Sequence, residues 1–243
     1  MTSIFVGTLF NGEAEFNKHL ESISHQVGIK FHHHIIKNLS EHKAHKQLWS
    51  DWQENRSKFD LFVKIDADTI LNRNSALLEI SKLFDDPNVT AAQIRLKDYY
   101  SNSLINGLNA FSPIVKFRNK SKRLFPDRVD YNHKKILFAD ATQKLEPIGY
   151  HCLFPNNRQA FYYGYRRMLK KQYSILKLVA REWTINQDEA RLWAIRGAQS
   201  AKKFIFLNKL YNSRYTEIFY QNQINKNDNL IDKFVSELTE YEE

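Results

Sequence analysis

The sequence predicts an α/β fold, a mixed sheet flanked by helices and followed by a helical C-terminal appendage. Three observations predict it. Over residues 1–97, apolar runs of strand length alternate with stretches of helical periodicity. After Lys97 that alternation breaks into short segments around a basic, turn-rich stretch. From Asn156 onward the apolar residues recur three or four apart, the spacing of helices. These breaks divide the chain into residues 1–155, an α/β domain with halves at 1–97 and 98–155, and residues 156–243, a helical region packed on it.

Ser3–Thr8 reads as a buried first strand that ends in the polar turn Thr8-Leu-Phe-Asn-Gly12. A helix follows, with Phe16, Leu20, Ile23 and Val27 on one stripe. Phe31–Ile36 is the second strand and carries His32, His33 and His34. Ser40 stands as N-cap of a helix whose inner face is Ala44, Leu48 and Trp52. Leu61–Ile65 is the third strand. Asn74 or Ser75 opens the next helix, and Asp86-Pro-Asn88 turns into a strand over Val89–Leu96. Asn106–Phe117 and Lys135–Ala139 are expected as short strands around the basic segment Arg118–His133. Helices are expected around Phe161–Leu169, Leu176–Ala198 and Phe204–Tyr220, with a polar, frayed end from Gln221.

Composition narrows the function. Among 243 residues there are 17 Phe and 12 Tyr but only 7 Gly and 5 Pro, which excludes disordered and collagen-like classes. The single cysteine, Cys152, excludes an internal disulfide framework and fits a reducing compartment. The first residues lack the pattern of a signal peptide, and no apolar run approaches bilayer length, so a cytoplasmic location is expected. The net charge of +9 points to an anionic partner and allows peripheral contact with a membrane surface. No nucleic-acid-binding module is recognisable and nucleic acid is not an expected partner, so a basic nucleic-acid-binding protein stands only as the non-enzymatic alternative.

Asp66-Ala67-Asp68 stands at the mouth of the third strand. Two carboxylates there are hard oxygen ligands suited to Mn²⁺ or Mg²⁺. Left unpaired, each would carry a desolvation cost of several kcal/mol. In open α/β sheets ligands gather at the carboxyl ends of the strands, an edge this pair shares with Thr8–Asn11.

The run Phe62-Val-Lys-Ile-Asp-Ala-Asp68 resembles the DxD motif of family-2-like GT-A glycosyltransferases. The resemblance implies the GT-A fold, a Rossmann-like mixed sheet, and transfer of a sugar from a nucleotide-diphosphate donor with one divalent cation. A UDP-sugar is the expected donor; the acceptor, whether a glycan, a lipid-linked molecule or a small molecule, and the oligomeric state are not legible. On the same resemblance Thr8, Leu9, Asn11 and Glu13 would hold the nucleobase, with His45 where the family carries an Arg. Asp66 and Ala67 would meet the ribose side. Asp68 and His151, with Asp66 directly or through water, would ligate Mn²⁺ or Mg²⁺. His151 follows Pro147-Ile-Gly-Tyr150, where a later metal-ligating His of the family falls. The general base is expected in Phe125-Pro-Asp-Arg-Val-Asp130, Asp130 before Asp127, with Asp140 third. The family's Q-x-x-R-W signature is absent, so processive polymer synthesis is not expected.

Ile65-Asp-Ala-Asp-Thr-Ile-Leu71 also matches the nucleophile motif of haloacid-dehalogenase-type phosphatases, which would make Asp66 the nucleophile. Two preceding βα units and the missing downstream acidic motif count against that reading. Cys152 is expected as a small buried residue rather than a ligand.

Overall fold

The computed structural model describes residues 2–118, 130–132, 136–137, 145–202, 204, 213–224 and 231–240; at 116–118, 130–132, 136–137 and 213–215 it describes the backbone alone. The described chain forms two compact units, one of residues 1–98 and 104–153, the other of residues 99–103 and 154–243.

The first unit is a mixed sheet flanked by helices. Its strands are β1 (Ser3–Phe10), β2 (Lys30–Lys37), β3 (Leu61–Lys64), β4 (Thr69–Leu71), β5 (Ala91–Asp98), β6 (Leu104–Phe111), β9 (Ile136–Leu137) and β10 (Gly149–His151), ordered β2-β1-β3-β6-β5-β10-β4 with β9 beside β5. Strands β2, β1 and β3 run parallel, β6 runs against both β3 and β5, and β10 lies parallel to β5 and antiparallel to β4. A separate two-stranded ribbon pairs β7 (Lys116–Arg118) with β8 (Asp130–Asn132).

Period-two alternation explains why β1 and β3 read as continuous apolar runs. Ile4, Val6, Leu61, Val63 and Ile65 enter one core with Ile23 of α1 (Phe16–Ser24) and Leu77 and Ile80 of α3 (Ala76–Lys82). Phe5 and Phe62 point the other way, onto Ala44, Leu48 and Trp52 of α2 (Glu41–Asn55). Both faces are covered, so neither carries an alternating polar row. Each such fully buried apolar side chain contributes about 1.5–3 kcal/mol. Val27 leaves the expected stripe and is 57% exposed. The reason is local: α1 stops at Ser24, and Gly28 takes φ +75° to turn the chain into β2.

The second unit is helical: α4 (Asn157–Leu169), α5 (Tyr173–Asn186), α6 (Glu189–Lys202), α7 (Ser213–Gln223) and α8 (Ile231–Glu240). Asn156 caps α4 through a reciprocal capping box with Gln159. The expected single helix over Leu176–Ala198 is two, because Gln187 adopts a left-handed conformation with φ +52°. The expected frayed end contains α8 instead, whose Ile231, Phe234 and Leu238 lie on one buried stripe. Tyr100 is buried and stacks on Tyr163 at 4.1 Å, so this pair packs the unit's interior. Arg191 reaches back to donate to the carbonyls of Tyr99 and Tyr100.

Helices α4 and α6 touch backbone to backbone at two glycines. A Cβ on Gly164 would stand 1.7 Å from the Ala194 carbonyl oxygen, and one on Gly197 would stand 2.0 Å from that of Phe161. Gly164→Ala is therefore expected to prise the helices apart and lower stability by about 1–3 kcal/mol, the usual cost of overpacking. A shifted urea midpoint measures this; an unchanged midpoint would show that the helices do not pack this closely.

Candidate metal centre

The sequence ends β3 at Lys64, and the next residues turn rather than extend. The Ile65 amide still donates to the Gly7 carbonyl, 3.0 Å, and the Thr69 amide closes the turn onto the Asp66 carbonyl, 2.9 Å. Ile65, Ala67 and Thr69 are buried. The two intervening carboxylates take different partners, although an extended strand would give them a common direction. Asp66, its side chain 46% exposed, pairs with the buried Lys64 ammonium. Burial raises the Asp66 carboxyl, but the Lys64 charge outweighs it and holds the group below the usual carboxylate range.

Asp68 faces β10. Its Oδ2 lies 3.5 Å from His151 Nε2 and 3.3 Å from Cys152 Sγ, while that thiol lies 3.6 Å from His151 Nε2. Backbone pairing fixes this meeting: His151 is opposite Thr69 on β4 and beside Asp98 on β5. A Cβ on Gly149 would stand 2.5 Å from the Ile70 carbonyl oxygen, so only glycine lets β10 approach β4 this closely. The Cys152 amide donates to the Asp68 carbonyl at 2.8 Å and locks the two loops together.

Behind the imidazole, Asp98 Oδ1 sits 2.7 Å from His151 Nδ1, with the carboxylate fully buried. A carboxylate only accepts, so Nδ1–H donates to it and Nε2 is left to face Asp68. A carboxylate behind the far ring nitrogen is how proteins orient metal-ligating histidines. In front, a neutral imidazole would turn the lone pair of Nε2 toward a carboxylate oxygen. A second ring proton on Nε2, or a cation between the two groups, resolves that repulsion. Asp68 Oδ1 is also buried and accepts no hydrogen bond from any described residue. Carboxylate, imidazole and orphaned oxygen thus fit a divalent cation. Among the described residues, the group of three acidic, imidazole or thiol ligands able to hold a metal is Asp68, His151 and Cys152.

The other expected residues fall in different surroundings. The Thr8 hydroxyl is buried between His19 Nε2 at 3.0 Å and His33 Nε2 at 2.9 Å. His19 Nδ1 must donate to the Thr69 carbonyl, so Thr8 donates to His19 and accepts from His33. Leu9 packs on the Phe5–Trp52 core, Ala67 is buried, and Asn11 is exposed. His45 is buried; its Nδ1 donates to the Glu41 carbonyl, and its Nε2 meets no described partner. Asp66 lies outside the three-ligand group. Asp130 lies on β8, where only the backbone is described, and Asp127 and Asp140 lie outside the described residues. His34 hydrogen-bonds Asp51 at 2.7 Å.

Sequence reasoning missed Asp98 and set Cys152 aside. Asp98 carried little signal, since it closes a strand in which Gln93, Arg95 and Lys97 alternate with apolar residues. The Cys152 signal was only its place after His151.

No protein-family model matches this chain, and no curated protein matches it. Among solved structures, the chain is similar to a mannosyltransferase from Pyrobaculum calidifontis in complex with GDP-Man and Mn²⁺, at 10% identity and TM-score 0.45, covering 96% of this chain and 78% of that one. It is also similar to a glycosyltransferase involved in glycosylation of the major capsid of PBCV-1, at 14% identity and TM-score 0.40, covering 64% and 95%. Both scores are too low to bear on what this chain does. No described helix is long and apolar enough to cross a membrane.

Glu13 carries a titration worth testing. Its Oε2 accepts from the Asn11 amide at 2.6 Å, yet burial, together with the Asp68 and Asp66 charges, pushes its carboxyl up to about 7. A carboxyl raised on folding binds its proton more tightly in the native state. Its stabilising contribution is full at acid pH and is lost as pH rises from the ordinary carboxylate range through about 7. Metal-free protein is expected to lose stability across that interval and Glu13→Gln to flatten the slope, as read by denaturation midpoints at stepped pH. An equal slope in the variant would contradict the assignment.

Proposed function

We propose that this protein is a metal-dependent glycosyltransferase of the GT-A type that uses a nucleotide-diphosphate sugar, a UDP-sugar first among them. The observation that carries the reading is the Asp98–His151–Asp68 line at the carboxyl edge of the parallel strands, 2.7 Å on one side of the imidazole and 3.5 Å on the other. A cation held there could bridge the diphosphate of a nucleotide-sugar.

In this reading Asp68 and His151 would hold Mn²⁺ or Mg²⁺. When bound, the cation neutralises charge growing on the departing diphosphate. Asp66, kept anionic by Lys64 and partly exposed, accepts from the ribose hydroxyls or from a metal-bound water. Lys64 keeps its own charge masked by that pair. His45, buried with its Nε2 unmet by any described residue, is the residue we assign to the nucleoside side. Glu13 and Asn11, joined at 2.6 Å, form the rim after β1. Transfer with inversion requires a carboxylate base at the acceptor hydroxyl, the role we assign to Asp130 and, after it, Asp127. The nucleotide half is 1–97, the acceptor half 98–155, and 156–243 a helical appendage.

The phosphatase alternative needs Asp66 free as a nucleophile and further carboxylates around the cation. Asp66 is instead paired with Lys64, and Asp68 is joined by an imidazole and a thiol.

A thermal-shift panel of UDP, GDP and other nucleotides, with and without Mn²⁺, tests this reading. Metal-dependent stabilisation by a nucleoside diphosphate at 100 times its Kd should reach about 2.7 kcal/mol and vanish in Asp68→Ala. Stabilisation by beryllium fluoride with Mg²⁺, and by no nucleotide, would contradict it.

A further inference from the structure

The three ligand atoms of the centre are spaced more like one face of a tetrahedron than like an octahedral corner. For bond lengths of about 2.3 Å to sulfur and about 2.0–2.2 Å to nitrogen and oxygen, tetrahedral angles separate ligand atoms by about 3.4–3.6 Å. The observed Nε2–Oδ2 and Sγ–Nε2 separations, 3.5 and 3.6 Å, fall in that range, and Sγ–Oδ2 at 3.3 Å falls just short of it. An octahedral Mg²⁺, with bonds of about 2.0–2.1 Å, brings neighbouring ligands to about 2.9 Å. Without movement the pocket therefore suits a small tetrahedral ion that takes all three atoms.

A second, independent observation concerns the backbone. Cys152 is held at φ +53°, a left-handed conformation that costs a non-glycine residue about 1–2 kcal/mol. Its amide bond to the Asp68 carbonyl maintains that conformation. The strained placement carries Sγ to the side of Asp68 Oδ2, where a relaxed strand continuing β10 would carry the side chain on a different course. The Asp98 carboxylate aims His151 Nε2 at the same point.

We propose that Asp68 Oδ2, His151 Nε2 and Cys152 Sγ form a three-ligand tetrahedral site for a thiophilic divalent cation, Zn²⁺ foremost. Binding deprotonates the thiol, and its proton leaves to solvent as the S–Zn bond forms. Soft thiolate selects Zn²⁺ over Mg²⁺ and Mn²⁺. Three protein ligands leave a tetrahedral ion one open position, whereas chelation of a diphosphate takes two. Zn²⁺ would accordingly displace the catalytic ion and hold the enzyme inactive, so the cysteine makes the centre sensitive to the identity of its metal. The inhibition half of this proposal rests on the transferase reading; the site itself does not.

Co²⁺ titrated into the chelator-treated full chain tests the site by absorbance. The expected spectrum has a sulfur-to-cobalt charge-transfer band in the near ultraviolet and intense visible bands of tetrahedral cobalt, both removed by Zn²⁺. Cys152→Ser is expected to abolish the charge-transfer band and weaken Zn²⁺ binding by about tenfold or more, beyond the loss that outer-shell changes begin to cause. A melting curve shows whether the variant is folded, and Cys152→Ala provides a second replacement. No cobalt binding, cobalt bound without the band, or an unchanged band in both variants would overturn the proposal. Mn²⁺-dependent stabilisation by a nucleotide without the cobalt band overturns this site and leaves the transferase standing. The band without any nucleotide stabilisation supports the site and removes the transferase.

Discussion

Asp98, a carboxylate with no solvent exposure, holds His151 Nδ1 at 2.7 Å, and the arrangement of the centre depends on that bond. A buried anion is costly unless it is hydrogen-bonded and paired, so Asp98 belongs where the sheet delivers an imidazole to it. The register His151↔Asp98 between β10 and β5 makes the delivery. With the proton fixed on Nδ1, Nε2 can face only outward, toward Asp68 and Cys152. The sheet thus converts an orientation problem into a pairing register, and a hydrogen bond into a fixed direction for Nε2.

A second constraint works on the opposite side of the imidazole. Lys64 and Asp66 satisfy each other, which leaves Asp68 as the carboxylate of the turn with an unanswered oxygen. The acidic pair is therefore asymmetric: one member is neutralised in place and one faces His151. That asymmetry favours a diphosphate-anchoring centre over a phosphatase centre, which would gather carboxylates. It also explains why Cys152 is tolerated in a strained conformation. The thiol, pushed up by burial and then by the Asp68, Glu15 and Asp98 charges, donates to Asp68 as long as no cation replaces its proton.

Much of this was legible in the residues. The apolar runs of β1 and β3 announce strands covered on both faces, and Ser40 and Ser75 mark helix starts that the structure shares. Asp68 and His151 were paired as metal ligands by the resemblance to GT-A glycosyltransferases. What stayed hidden depends on distance in sequence. β4 and β10 have three residues each and no periodicity to read, yet their pairing builds the centre. Asp98 fell outside the expected strand Val89–Leu96, and nothing local reveals the histidine 53 residues away. The split of Asp66 from Asp68 follows from the strand stopping at Lys64, a boundary set by tertiary packing. The break at Gln187 and the stripe of α8 were masked in the same way, one by a polar residue that tolerates a left-handed turn, the other by surrounding polarity.

Because Asp98→Asn keeps the shape of the side chain and an acceptor for His151 while removing the charge, it separates positioning from folding. Calorimetric titration of Mn²⁺ into wild type and this variant is the most direct measure of whether the Asp98–His151–Asp68 line is a cation centre. Affinity about 10–100-fold weaker in the variant, with the melting temperature little changed, is the predicted result. Equal Mn²⁺ affinity in the two proteins, or no binding by wild type, would contradict it.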